Sequence, residues 1–249
     1  MPRKFIFIRS YHRDLGWLRY CLRSCAKFLS GHDGITVTVP QADVALFRNA
    51  GIDVVPCPDF APSYLAQQST KLHADLFIRG IAPDDWIIYI DSDCIWTEPF
   101  NVSAMFNADG APVALYTPYA QLGGKSPWQP STEKALGFPC PNEHLRRHGA
   151  IASAGELKKL RGWFQQARGI SLDRYIRNEG EAKRNLAEFC ILGSWLWNFH
   201  RDTRAWYLAG SESTEHGKPG GDVPPLPLKQ HYSYDGVEKY KSEIEKILT

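Results

Sequence analysis

The sequence lacks any hydrophobic run long enough to cross a membrane. Its first apolar segment, residues 5–8, is too short to serve as the hydrophobic region of a secretory signal. These absences lead us to expect a cytoplasmic protein, either in a bacterium or in the cytoplasm of a host cell if a phage encodes it.

The six cysteines lack the CxxC spacing that many structural zinc sites use. Cys21 and Cys25 lie one helical turn apart, which favours the buried face of a helix over a metal site. The chain also lacks a strong charge imbalance, since its formal net charge is +2. This near-neutral total neither requires nor excludes nucleic acid or an anionic membrane as a partner.

Short apolar segments alternate with segments of helical periodicity over residues 1–90. In residues 13–29, for example, Leu18, Leu22 and Cys25 recur at three- and four-residue steps. This order predicts an α/β fold, with a mostly parallel central sheet flanked by crossover helices. The predicted strands are residues 4–9, 35–39, 52–55 and 86–90, and the predicted helices are residues 13–29, 42–49 and 65–79.

The second half of the chain is less regular. A further strand is predicted over residues 112–116, a long loop over 121–143, helices over 154–168, 171–178, 185–200 and 237–248, and a turn-rich segment over 210–227. No internal repeat and no flexible linker divides the sequence, so we expect a single domain of residues 1–249.

An uncharged strand ends directly at two carboxylates in the stretch IIYIDSD. Ligands of open α/β sheets bind beyond the carboxyl ends of the strands, which is where Asp91 and Asp93 follow residues 86–90. Such a pair favours a hard divalent cation, Mg²⁺ or Mn²⁺, together with the phosphates of a nucleoside diphosphate. The alternative is a solvated turn, because the Asp-x-Asp pattern by itself is common.

The chain resembles the GT-A glycosyltransferases, and among them the small bacterial or phage-type enzymes that use sugar nucleotides as donors. The resemblance rests on FIFIRSYHRD as the first strand and nucleotide loop, QQSTKLHADLF as the following helix, IIYIDSDCIW as the acidic strand, AEFCILGSWLW in the second half and LKQHYSYDG near the end. It implies a GT-A-like fold in which residues 1–117 bind the nucleotide sugar and residues 118–249 bind the acceptor.

The resemblance also implies a metal site. Asp93 would bind Mn²⁺ or Mg²⁺ directly, Asp91 would reach the metal through water or contact the ribose, and His231 would complete the metal shell. The implied donor is a nucleoside-diphosphate sugar, with a UDP-sugar favoured. The alternative for His231 is a structural histidine.

Donor-binding residues are expected after the first strand and on the helix that precedes the acidic strand. Tyr11 would stack on the base, and Arg9 or Arg13 would contact the base or a phosphate. The alternative is a helix N-terminus at which Ser10 or Asp14 serves as the cap. Ser10 follows the first strand as well and is counted among the expected donor-binding residues. The resemblance places a basic residue, Lys71, near the donor, although a single lysine on a helix is commonly a surface residue.

The acceptor side is predicted around the segment AEFCILGSWLW. Glu188 would be the general base for the acceptor hydroxyl or a contact to the donor sugar. The alternative is a first-turn charge that the helix dipole stabilises. Gly193 would let a substrate approach the backbone, and Trp195 would offer a sugar platform or belong to the core. Arg147 lies in a basic stretch that forms either an acceptor groove or a solvated surface.

These features predict a metal-dependent glycosyltransferase whose acceptor is a glycan, a small molecule or a hydroxymethylated DNA base. A nucleotidyltransferase is the second interpretation, but RSYHRDLGW holds one glycine and not the Gly-rich basic loop such enzymes use. A non-catalytic module that binds a nucleotide sugar is the third.

Overall fold

The computed structural model describes residues 1–123, 127–145, 150–178, 186–200, 226–231 and 233–249. The strands are β1 (Lys4–Arg9), β2 (Leu29–Ser30), β3 (Gly34–Pro40), β4 (Val55–Cys57), β5 (Trp86–Tyr89), β6 (Cys94–Trp96), β7 (Phe100–Asn101), β8 (Thr117–Pro118), β9 (Asn142–Glu143), β10 (Ile151–Ser153) and β11 (Leu228–Gln230). The α-helices are α1 (Leu15–Phe28), α2 (Val44–Asn49), α3 (Ser63–Leu72), α4 (Gln129–Leu136), α5 (Ala154–Arg168), α6 (Leu172–Asn178), α7 (Glu188–His200) and α8 (Lys241–Leu248).

A five-stranded sheet with the order β10-β5-β1-β3-β4 forms the centre of the fold. β1 pairs in parallel with β3 on one side and β5 on the other, and β4 extends the parallel set. Only β10, at one edge, runs antiparallel to its neighbour β5. The predicted α/β class, with a mostly parallel sheet flanked by helices, is therefore confirmed.

The side chains of β1 alternate between two hydrophobic cores, because successive strand residues point to opposite faces of a sheet. Phe5 and Phe7 pack in the core that also receives α3 and α5. Ile6 and Ile8 pack in the other core, which α1 covers. Since both faces are buried, the strand has to be apolar throughout, as its sequence is.

The buried face of α1 carries the two cysteines that the sequence placed one turn apart. Cys21 and Cys25 are both fully buried free thiols in the core under α1. The predicted structural role for this pair is confirmed. Within the described parts of the chain, no helix is both long and apolar enough to span a membrane.

Two predictions for the irregular part of the chain were wrong. Residues 112–116 form bridge contacts only, such as the one between Phe106 and Pro112, and the fifth strand of the sheet is β10. The loop predicted over residues 121–143 contains α4, which Gly137 ends in a left-handed conformation with φ of 78°. Of the turn-rich segment, residues 210–225 lie outside the described residues.

Candidate functional site

A cavity of about 330 Å³ lies at the carboxyl edge of the sheet. Because β1 and β5 are parallel neighbours, the residues that follow them meet at this edge. Arg9 and Tyr11 line the cavity from the β1 side, and Asp91, Ser92 and Asp93 line it from the β5 side. The structure thus brings together the predicted acidic pair and two of the predicted donor-binding residues.

Asp93 is buried and firmly held. Its Oδ1 accepts a hydrogen bond from Gln230 Nε2 at 3.2 Å, and its Oδ2 accepts one from the backbone N–H of Ser233 at 2.8 Å. Burial and the neighbouring Asp91 carboxylate raise the pKa of Asp93 to about 6, against the lowering effect of these hydrogen bonds. The site therefore confines more negative charge than its own donors compensate.

Asp14 contributes a third carboxylate to the cavity. It precedes α1, but its side chain makes no capping hydrogen bond to that helix. Its Oδ2 instead accepts a hydrogen bond from Ser92 Oγ at 3.0 Å, and burial raises its pKa. Among the described residues Oδ1 has no hydrogen-bond partner. Asp14 therefore occupies the N-cap position of α1, but its side chain faces the cavity and does not cap the helix, which the sequence did not indicate.

Lys71 joins Asp91 to Glu188. Its Nζ lies 2.8 Å from Asp91 Oδ1 and 2.8 Å from Glu188 Oε1. Burial lowers the pKa of Lys71, but the two carboxylates outweigh it and raise the pKa above its ordinary value. Lys71 is therefore a buried cation of the site, and the alternative of a surface lysine is wrong. Glu188 is itself buried at the start of α7.

The other residues predicted after β1 occupy different environments. Tyr11 is partly buried in the cavity wall, and burial together with the charge of Asp14 raises its pKa. Ser10 is fully buried, and its backbone N–H donates to Thr38 O at 2.9 Å. Arg13 is exposed. Neither Ser10 nor Arg13 belongs to the cavity lining that the structure describes.

The imidazole of His231 packs against aromatic rings. It stacks on Trp17 with ring centroids 5.4 Å apart and an interplanar angle of 25°, and Tyr240 meets it edge-on. Its backbone N–H donates to Asp93 O at 3.0 Å, so the residue is next to the acidic pair along β11 and β6. The described cavity lining does not include its ring. Its role as a metal ligand stays a prediction.

The predicted acceptor-side residues are packed against protein. A Cβ added to Gly193 would lie 2.3 Å from His144 Cγ. The space beside this glycine is therefore filled by the His144 side chain and not left for a substrate. Trp195 is 3% exposed and packs in the hydrophobic core. This fits the predicted alternative of a core residue and not a sugar platform. Arg147 lies outside the described residues.

Several cavity residues gave no sequence signal. Helix α3 contributes Ser63, Tyr64 and Gln67 from its first turns, the end of β11 contributes Gln230, and the segment after it contributes Ser233. Polar residues of these types are common on any surface, and only tertiary packing brings them to the acidic pair.

Asp91 and Asp93 fit a cation that arrives with a diphosphate. No three His, Cys, Asp or Glu side chains of the described parts are arranged to hold a metal by themselves. Mg²⁺ and related ions commonly bind one or two carboxylates and complete their shell with substrate phosphates and water. The raised pKa of Asp93 marks a negative charge that such a cation would compensate.

No protein-family model matches the sequence. A search of curated proteins also found no significant match. The geometry and charges of the site are therefore the basis for a proposed function.

Proposed function

We propose that the protein is a metal-dependent glycosyltransferase of the GT-A type, which moves a sugar from a nucleoside-diphosphate sugar to an acceptor hydroxyl. The observation that supports this most is the juxtaposition of the Asp91–Asp93 pair with the buried Arg9 in one cavity at the carboxyl edge of a parallel sheet. Carboxylates for a cation and a guanidinium for an anion, side by side, suit a metal-bound diphosphate.

Different residues of the cavity would bind different parts of such a donor. Asp91 and Asp93 would hold Mn²⁺ or Mg²⁺, which when bound neutralises charge on the departing diphosphate. Tyr11 presents an aromatic ring in the wall, next to the guanidinium of Arg9, and is suited to stack on the base. The volume of about 330 Å³ is at the lower end of the range for small-molecule sites.

Lys71 and Glu188 support the acidic pair from behind. The Lys71 ammonium holds the Asp91 carboxylate by a 2.8 Å ion pair, and Glu188 fixes the ammonium from the other side. This arrangement supports a positioning role for both residues, because each acts on the cavity through Asp91. A role for Glu188 as the general base requires the acceptor hydroxyl to come within hydrogen-bond reach of it, and it stays a prediction.

The proposal is tested by release of nucleoside diphosphate from labelled sugar nucleotides. UDP- and GDP-sugars are incubated with glycans, small hydroxyl acceptors and hydroxymethylated DNA in parallel, with Mn²⁺ or with a chelator. We expect transfer only with metal, and loss of at least about 100-fold in Asp93→Asn, since that substitution removes a metal-binding carboxylate.

The matched control is Asp84→Asn, which removes the same charge from an exposed residue at the opposite edge of the sheet. Thermal melting shows whether each variant is folded. Near-normal transfer by a folded Asp93→Asn protein, or equal transfer in chelator and Mn²⁺, contradicts the proposal.

A further inference from the structure

The guanidinium of Arg9 is a buried cation whose hydrogen-bonding groups are poorly satisfied. The side chain is 3% exposed. Within the described parts of the chain, neither Nε nor Nη2 has a hydrogen-bond acceptor. Buried polar groups in folded proteins are nearly always paired, so these donors indicate that an acceptor is missing.

Asp59 is the carboxylate paired with this guanidinium, which also lies beside the Cys57 thiol. Its Oδ1 lies 3.8 Å from Arg9 Nη2, which is within ion-pair range but too long for a hydrogen bond. The Asp59 side chain is 46% exposed, so it retains much of its hydration when the pair breaks. The pair is therefore weak for a buried arginine, and an anion with better geometry can replace the carboxylate.

We infer that Arg9 is the anion-binding residue of the cavity and that Asp59 is an internal competitor, which a phosphate group of the ligand displaces. A guanidinium presents its N–H groups as a planar fork that matches two oxygens of one phosphate. The inference rests on the proposed function in one respect: the nucleoside diphosphate is the source of that phosphate.

The acidic residues of the cavity set a condition on the anion. Asp14, Asp91 and Asp93 line the same space and repel a bare anion. Asp59 adds a fourth negative charge beside the Arg9 guanidinium, and its displacement by a phosphate costs the Arg9–Asp59 attraction. Removal of the Asp59 charge should therefore strengthen binding, and removal of the Arg9 fork should weaken it.

The position of Asp59 makes displacement structurally simple. It lies in the connection between β4 and α3, whose first residues Ser63 and Tyr64 line the cavity. The next residue, Phe60, is held by the guanidinium of Arg177, which lies 4.0 Å from the ring centroid. Only the Asp59 side chain has to turn toward water, while the connection keeps its contacts.

The test is calorimetric titration of the full-length protein with pyrophosphate and with UDP, each in Mn²⁺. The variants are Asp59→Asn, Arg9→Lys and Arg9→Gln, with Asp84→Asn as the control for a lost surface carboxylate. We expect Asp59→Asn to bind both ligands about two- to fivefold more tightly, which is the size of a partly exposed ion pair. We expect Arg9→Gln to bind at least about tenfold more weakly, and Arg9→Lys to fall between it and the wild type.

The two ligands separate this inference from the proposed function. If the variants bind pyrophosphate in the expected order of affinity and UDP does not bind, the result supports the anion site and contradicts the nucleotide function. UDP binding that is metal-dependent and equal in the wild type and Arg9→Gln overturns the inference and leaves the proposed function standing. If circular dichroism shows that the Arg9 variants do not fold, Asp59→Asn decides: affinity equal to that of Asp84→Asn overturns the inference.

Discussion

Replacement of Lys71 by methionine should destabilise the protein by about 3 kcal/mol, because it breaks a buried ion-pair network. Lys71 Nζ contacts one oxygen each of Asp91 and Glu188 at 2.8 Å. Methionine keeps most of the side-chain volume, so the cavity term is small and the lost charge dominates.

The two carboxylates contribute unequally to the loss in the free energy of unfolding. The Asp91 side chain is 33% exposed and can be hydrated once the ammonium is gone, whereas the Glu188 side chain is 5% exposed and cannot. Removal of one partner of a buried pair costs about 3–5 kcal/mol, and the hydration of Asp91 places this case at the lower end. For a chain of this length that corresponds to a drop of roughly 6–12 °C in melting temperature.

The assay is urea unfolding of the wild type, Lys71→Met, Glu188→Gln and the double variant. We expect the double variant to recover about 2 kcal/mol relative to Lys71→Met, since it leaves no unpaired buried charge at Glu188. Lys241→Met is the control, because it breaks an ion pair whose partners, Lys241 and Glu238, are 55% and 79% exposed. A cost below about 1 kcal/mol for Lys71→Met, as expected for the exposed pair, refutes the reasoning.

Asp93→Asn should stabilise the chelator-treated protein by about 1–3 kcal/mol at pH 8 and have little effect at pH 4. The pKa of Asp93 is raised to about 6 in the folded protein, so folding favours the protonated carboxyl. The stability that this proton contributes at low pH is lost as the pH rises through about 6, and asparagine, which carries no charge, avoids that loss. Destabilisation of the variant at pH 8 in urea unfolding contradicts this. Gly193→Ala should cost about 1–3 kcal/mol, because its Cβ would lie 2.3 Å from His144 Cγ. Gly162→Ala, also helical but with nothing within 4 Å of the added Cβ, should instead stabilise by about 0.5–1 kcal/mol, and equal effects in the two melts contradict the packing assigned to Gly193.

The sequence predicted best those elements whose residues are buried by the sheet. The bounds of β1 and of α5 are the ones expected, because a doubly buried strand and a helix with one apolar face leave strong periodic signals. β4 lies at Val55–Cys57 and not at residues 52–55. It is the edge strand of the sheet, where Pro56 is tolerated and the apolar pattern is weak.

Short elements held by tertiary contacts were beyond sequence reasoning. β10 has three residues, which is too few to show a period, and it is a strand because it pairs with β5. Helix α4 did carry local signals, since Pro130 lies in its first turn and Gly137 ends it. Those signals were outweighed by the Gly, Pro and Ser content of the surrounding segment.

The residues of the site differ in the same way: some have a local sequence signal, and others are brought together only by tertiary contacts. The acidic pair was located because it follows a buried strand, and the geometry of a parallel sheet then places Arg9 beside it. Asp14 has no distinguishing pattern, since an aspartate before a helix is common as a cap. The burial of Lys71 between two carboxylates is a property of the packed structure, and neither carboxylate is near it in the sequence.

Calorimetric titration of UDP with and without Mn²⁺, on the wild type and on an Asp91→Asn/Asp93→Asn variant, tests the central claim most directly. The account predicts UDP binding that requires Mn²⁺ and is lost in the folded double variant. UDP binding of equal strength without the metal, or in the double variant, would contradict it.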